Sequence, residues 1–212
     1  MSLEPIVYVV DDDQAMVESL SWMIESVGLN VKTYTRAQEF LDNYLPQQPG
    51  CLLLDVRMPG MSGPELQSRL NELGAPTLPI IFISGHGDVP LAVRVMKAGA
   101  TDFLTKPFND QVLLESINKA LRLDKSNREK RQENAQAEAK FALLSPRESQ
   151  VLQGIVAGKQ NKVISAELMI SLKTVEAHRA SVMKKMGVKS VPELVKIVLN
   201  SSNSVQEVES EA

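Results

Sequence analysis

Five short apolar runs in the first half of the chain, IVYVV (6–10), VKTY (31–34), CLLLD (51–55), PIIFIS (79–84) and DFL (102–104), leave few folds open. The first, third and fourth are apolar without alternation, the pattern of strands covered by helices on both faces. Amphipathic stretches separate the runs, so the expected architecture is α/β, a doubly wound five-stranded parallel sheet.

Helix punctuation agrees with that alternation. Ser62 with Glu65 three residues on, and Pro64 between them, is a capping-box start. Asp88 is expected to cap a helix in which Val89, Ala92, Val93 and Met96 recur at helical spacing until Gly99 stops it. Asn109 opens the next, with Val112, Leu113, Ser116, Ile117, Ala120 and Leu121 as its buried stripe.

After Asp124 the composition changes. DKSNREKRQENAQAEAK (124–140) is polar, free of proline and glycine and rich in helix formers, which predicts a helical linker over 125–141. Ser145, Pro146 and Glu148 then start a new helix and a second domain over 142–200, after a first over 1–124. Four helices are expected there, near 146–157, 160–168, 172–186 and 191–199, broken at Gly158, at Ile170-Ser171 and at Gly187. The acidic tail 201–212 is expected to be disordered. A length of 212 residues with 43% hydrophobic side chains suits two small domains.

The net charge of −3 hides an asymmetry: −7 over residues 1–124, +5 over 142–200 and −3 over 201–212. A basic back half is the signature of a nucleic-acid partner. No run approaches the ~20 apolar residues of a spanning helix, and the start MSLEPIVYVV lacks a basic leader, so no membrane partner and a cytoplasmic location are expected. Cys51, the single cysteine, reads as a small buried apolar residue.

Three chain-distant features should meet at one sheet edge. Asp11, Asp12 and Asp13 follow the first strand, Asp55 ends the third, Ser84 ends the fourth, and Lys106-Pro107 follows the fifth. In open α/β sheets the ligand crevice lies at the carboxyl ends of the strands. Crowded carboxylates need a positive partner, and hard oxygen donors suit Mg2+ (or Mn2+). With the metal drawing on Asp12 and Asp55, an Asp55 oxygen is free to attack phosphorus, while Lys106 and the Ser84 hydroxyl meet the developing charge. Asp13 reads instead as a helix cap.

In the second domain, residues 171–186 at 100° each place Val175, His178, Val182 and Met186 on one side. Lys173, Glu176, Ala177, Ala180 and Lys184 fall opposite. Small side chains between lysines let such a helix enter a major groove. Ser171 would cap it, and the preceding helix, beginning at Asn161 and Lys162, would cross the backbone, making a helix-turn-helix.

VVDDD, LLLDVRMPGMSG, FISGHGD and FLTKPF, in order across 6–108, resemble the signatures of receiver domains of two-component response regulators, a flavodoxin-like fold. LSPRESQVLQGIVAG, NKVISAELMIS and TVEAHRASVMKKMGV resemble the helix-turn-helix output domain of the LuxR/NarL/FixJ class, and GHGDVP with TVEAHR is similar to the FixJ branch. The resemblance implies a phosphoacceptor at Asp55 and an acidic metal pocket at Asp11 and Asp12. It implies a metal-ligating backbone carbonyl at Arg57, phosphate contacts at Ser84 and Lys106, a switch aromatic at Phe103 and a cis Lys106-Pro107 bond. Lys173, Thr174, Glu176, Ala177, Arg179 and Ala180 become recognition-helix residues, with Lys184 beside phosphate. It also implies, as partners, a sensor histidine kinase, promoter DNA, RNA polymerase, and a second copy paired through the 88–121 face on phosphorylation.

Two rivals remain open on the residues. An aspartate-based phosphohydrolase would need a carboxylate two residues beyond the nucleophile, where Arg57 stands. A back half that binds RNA or protein would share the basic charge.

Overall fold

The structure is a computed structural model in which residues 3–73, 78–85 and 89–210 are described, residues 201–210 for their backbone only. It divides into two compact units, Met1–Arg128 and Glu129–Ala212.

The first unit alternates strands and helices: β1 (Ile6–Val10), α1 (Gln14–Ser26), β2 (Asn30–Tyr34), α2 (Ala37–Asn43), β3 (Gly50–Asp55), α3 (Gly63–Glu72), β4 (Ile80–Ser84), α4 (Val89–Lys97), β5 (Asp102–Thr105) and α5 (Asp110–Ala142). The sheet order is β2-β1-β3-β4-β5, and every pairing is parallel. Because strand side chains alternate between faces, β1 and β3 divide their residues between two cores. Tyr8, Val10, Leu52 and Leu54 pack with Phe40 of α2, Leu66 and Leu70 of α3 and Val95 of α4. Val7, Val9, Cys51 and Leu53 pack with Val17, Leu20 and Ile24 of α1 and Leu113, Ile117 and Ala120 of α5. Burial pushes the Cys51 thiol well above its ordinary pKa, in keeping with an inert apolar role.

Local signals decide the helix ends. Asp13 caps α1, its carboxylate accepting from the amides of Ala15 and Met16. The Ser62–Glu65 capping box opens α3, and Asn109 accepts from the Gln111 amide at the start of α5. Gly99, at φ 92°, turns the chain after α4. The expected Asp88 cap falls outside the described residues.

One expectation is corrected here. Val112, placed on the buried stripe of α5, is 45% exposed. The first unit runs past 124 to Arg128, because the Arg128 guanidinium donates to Asp124 and to the carbonyls of Pro46, Gln47 and Gln48, which ties the next turn of α5 to it. Asp124 is itself buried and accepts from the Gly50 amide.

The second unit takes the last part of α5, with α6 (Pro146–Val156), α7 (Asn161–Leu168), α8 (Leu172–Met186) and α9 (Val191–Ser210) around a core of Val151, Leu152, Ile155, Ile164, Val175, Val182, Met186 and Leu194. The break before α8 lies at Met169, a left-handed residue at φ 54°. The fourth helix continues to Ser210 where a disordered tail was expected; SSNSVQEVES holds no proline or glycine to stop it.

Gly63 is the tightest point near the sheet edge. A Cβ there would run into the Asp55 carbonyl oxygen and stand 2.9 Å from Phe82 Cε1. An exposed helical glycine gains about 1 kcal/mol on changing to alanine; overpacking reverses the sign. Gly63→Ala is expected to destabilise the first unit by about 1–3 kcal/mol, checked by urea denaturation read through hydrogen exchange of β3 amides. A stabilised variant would show the approach to be loose.

Candidate functional site

Strand register brings the expected residues together. Val10 pairs with Leu54, so Asp11 comes level with Asp55 at the carboxyl ends of β1 and β3, where the strand order reverses direction. Ser84 pairs with Thr105, and the Lys106 amide donates to the Ser84 carbonyl at 2.7 Å, which holds Lys106 at the same edge. The Lys106-Pro107 bond is cis.

The Lys106 ammonium lies 2.7 Å from Asp11 Oδ2 and 2.8 Å from Asp55 Oδ1. The other oxygens also accept: Asp11 Oδ1 from the Asp13 amide at 2.9 Å, Asp55 Oδ2 from the Arg57 amide at 2.7 Å. Asp11 is 3% exposed and Asp55 8%. Burial, the largest influence, pushes the Asp55 carboxyl above its ordinary pKa, opposed by hydrogen bonds from Lys106 and the Arg57 amide and reinforced by the charge of Asp11. For Lys106, burial lowers the pKa, but hydrogen bonds to both carboxylates outweigh it and raise the value. Two buried carboxylates against one ammonium leave a net negative site made of hard oxygen donors.

The remaining residues sit around this centre. Ser84 is buried at the end of β4. Asp12 and Arg57 are exposed. Phe103, on β5, is half-buried and packs against the core shared with α3 and α4. Among the described residues no three His, Cys, Asp or Glu side chains are gathered for a metal ion.

In the second unit, Ser171 caps α8, accepting from the Thr174 amide at 3.1 Å and lying 2.7 Å from the Thr174 hydroxyl. Val175, Val182 and Met186 are buried as expected, and His178 is half-buried beside them. Lys173, Glu176, Ala177, Ala180 and Lys184 are exposed together, with Thr174 and Arg179 half-buried at the margins. Asn161 and Lys162 begin α7.

Lys185, the neighbour of Lys184 on α8, is turned inward. Its ammonium donates to Glu148 at 2.7 Å and to the Leu143 carbonyl at 3.0 Å. Glu148 also takes the Ser145 amide at 2.7 Å and the Ser181 hydroxyl at 2.6 Å. The sequence shows Glu148 only as the capping-box acid; its partners lie 33 and 37 residues away.

A lysine-bridged acidic sheet edge and a helix-turn-helix in one chain define a class: regulators in which a receiver governs a DNA-binding output domain. Known proteins narrow the class. Residues 7–118 match the response regulator receiver domain, and residues 142–198 match the bacterial regulatory proteins of the luxR family. The response regulator protein TmoT of Ectopseudomonas mendocina is 46% identical over 203 residues, 96% of this chain and 92% of that protein. The transcriptional regulatory protein FixJ of Azorhizobium caulinodans is 49% identical over 195 residues, 91% of each. The solved structure of the response regulator StyR matches with a TM-score of 0.83 at 46% identity, covering 92% of this chain and 98% of that one. The chain belongs to the response regulators that join a receiver to a LuxR-type DNA-binding domain, and it is a phosphorylation-activated transcriptional regulator. No described helix is long and apolar enough to cross a membrane.

The Glu148 cluster gives a pH test of the output domain. Hydrogen bonds from Lys185, then Ser181 and the Ser145 amide, hold Glu148 down from 4.5 to about 2. A depressed carboxyl stabilises the folded state above its ordinary pKa, and that contribution disappears as pH falls through the folded value. The output domain should therefore lose stability between pH 4.5 and about 2. Glu148→Gln should be less stable at pH 7 and lack that part of the slope. Parallel melting profiles for both proteins would show no difference in slope if the cluster were idle.

Proposed function

We propose that Asp55 is the phosphoacceptor of this regulator. Its carboxylate oxygen attacks the phosphorus of a phosphohistidine on a sensor histidine kinase; a P–O bond forms as the P–N bond breaks, leaving an acyl phosphate and a free imidazole. The observation that carries this reading is the shared ammonium, with Lys106 within 2.8 Å of both buried carboxylates. Lys106 can exchange its bond to Asp55 for one to a phosphoryl oxygen, and Ser84 at the end of β4 offers the second donor.

The donor set fits Mg2+, which commonly takes one or two carboxylates and keeps several waters. Asp11 and Asp55, with the Arg57 carbonyl and Asp12 at the exposed rim, would hold the ion; Mn2+ would suit the same oxygens. Bound there, it would neutralise charge between the carboxylates and the incoming phosphoryl group. The chemistry stays on the protein's own aspartate. Arg57 occupies the position where a phosphohydrolase would carry its second acid, so turnover of other phosphoesters is not part of this reading.

Phosphorylation replaces a carboxylate with a group of about −1.5 to −2 charge. Lys106 and Ser84 are drawn to it, Phe103 packs behind them, and the 88–121 face is reshaped to pair with a second copy. Two recognition helices then reach adjacent half-sites of promoter DNA in the cytoplasm, where RNA polymerase is the further partner. On each helix Lys173 and Lys184 meet phosphates, and Thr174, Glu176, Ala177, Arg179 and Ala180 face base edges. Asn161 and Lys162 of α7 touch the backbone.

Asp55→Asn should abolish the rise in dimerisation and operator affinity that wild type shows with beryllofluoride and Mg2+, measured by sedimentation and fluorescence anisotropy. A wild-type response in that variant would remove Asp55 from the mechanism. Lys173→Ala should weaken binding about equally for all duplex sequences and reduce the salt slope by about one. Unchanged salt dependence, or equal affinity for RNA, would refute the proposed contact.

A further inference from the structure

The helix that touches the acceptor also holds α4. At its start, Gly63 abuts the Asp55 carbonyl, and its amide donates to Val56 O at 3.0 Å. One turn later Gln67, 3% exposed, donates both amide hydrogens across to α4, to Val95 O and Ala98 O at 3.1 Å each. Asn71, a turn further on, donates to the same Ala98 carbonyl at 3.3 Å.

Among the described residues, α4 packs on the sheet core through Val95 and the half-buried Leu91. Its one buried side chain is Val95, while Val89 is 69% exposed, Val93 48% and Met96 42%. By contrast, α1 buries Val17, Leu20 and Ile24. An element with few buried apolar contacts sits at the low-stability end of a domain. The Gln67 bonds therefore share in keeping α4 in place, and the one to Val95 O is buried, where a lost bond counts most, while the one to Ala98 O is partly buried.

We propose that Gln67 is a positioning residue: its amide latches the C-terminal end of α4 to α3 in the resting receiver and sets how readily the α4 surface yields when Asp55 is modified. This rests on the reading of Asp55 as phosphoacceptor. The coupling is mechanical and short. A shift of the Asp55 backbone presses on Gly63, and α3 carries it one turn to the amide that grips α4.

The test is amide hydrogen exchange on the full chain with Gln67→Met, which keeps the side chain's length and removes its donors, and with Asn71→Ala. Gln67→Met is expected to speed exchange about tenfold over residues 92–100 and leave α1 and the 110–124 part of α5 unchanged. Asn71→Ala should produce a smaller rise in the same segment. Unchanged exchange at 92–100, or an equal rise in α1 and α5, overturns the latch, because the second pattern is general destabilisation. Beryllofluoride with Mg2+ should perturb 92–100 in wild type. If it does not, while Gln67→Met does, the latch stands and the phosphoacceptor reading falls.

Discussion

One ammonium shared by two buried carboxylates organises the receiver. Asp11 and Asp55 stand level because β1 and β3 are paired in register, and their repulsion in a partly desolvated place would be costly without Lys106 between them. Lys106 reaches them because its own amide is pinned to Ser84 at the end of β4. Four strands, β1, β3, β4 and β5, are thus locked at one edge by the groups that carry the chemistry. The site remains one positive charge short of neutral, so the interaction that completes it also leaves it receptive to a cation.

The same economy appears in the output domain with the opposite purpose. Glu148 uses its carboxylate to satisfy the start of α6 and, across the unit, Ser181 and Lys185 of α8. One basic residue of α8 is spent on internal bracing, while Lys173 and Lys184 remain exposed. Charge counted along a sequence cannot make that division, because it depends on where each ammonium finds a carboxylate.

Legibility followed the range of the physics. β1, β3 and β4 were readable to within a residue because burial on both faces writes itself into consecutive apolar side chains. Asp13, Ser62, Asn109 and Ser145 were readable as caps because capping acts over three residues. The meeting of Asp11, Asp55 and Lys106 was readable because the carboxyl ends of parallel strands share one edge. What stayed hidden depended on distant partners: Arg128 reaching the carbonyls of Pro46 to Gln48 extended the first unit, and Gln67 looked like an ordinary polar residue of a helix. Helical spacing in α4 showed an apolar stripe but not that Val89, Val93 and Met96 face outward.

That outward stripe changes how α4 should be understood. A helix built to be part of a permanent core would bury its apolar residues, as α1 does. In α4 the holding is shared by Val95, the half-buried Leu91 and polar bonds from Gln67 and Asn71. Polar bonds break and re-form at nearly constant total energy when new partners or water are at hand, because their net worth is about 1 kcal/mol each. Apolar packing is lost all at once and at greater cost. An element held partly by hydrogen bonds can therefore move while the sheet beneath it stays folded, which is the physical condition a switch surface has to meet.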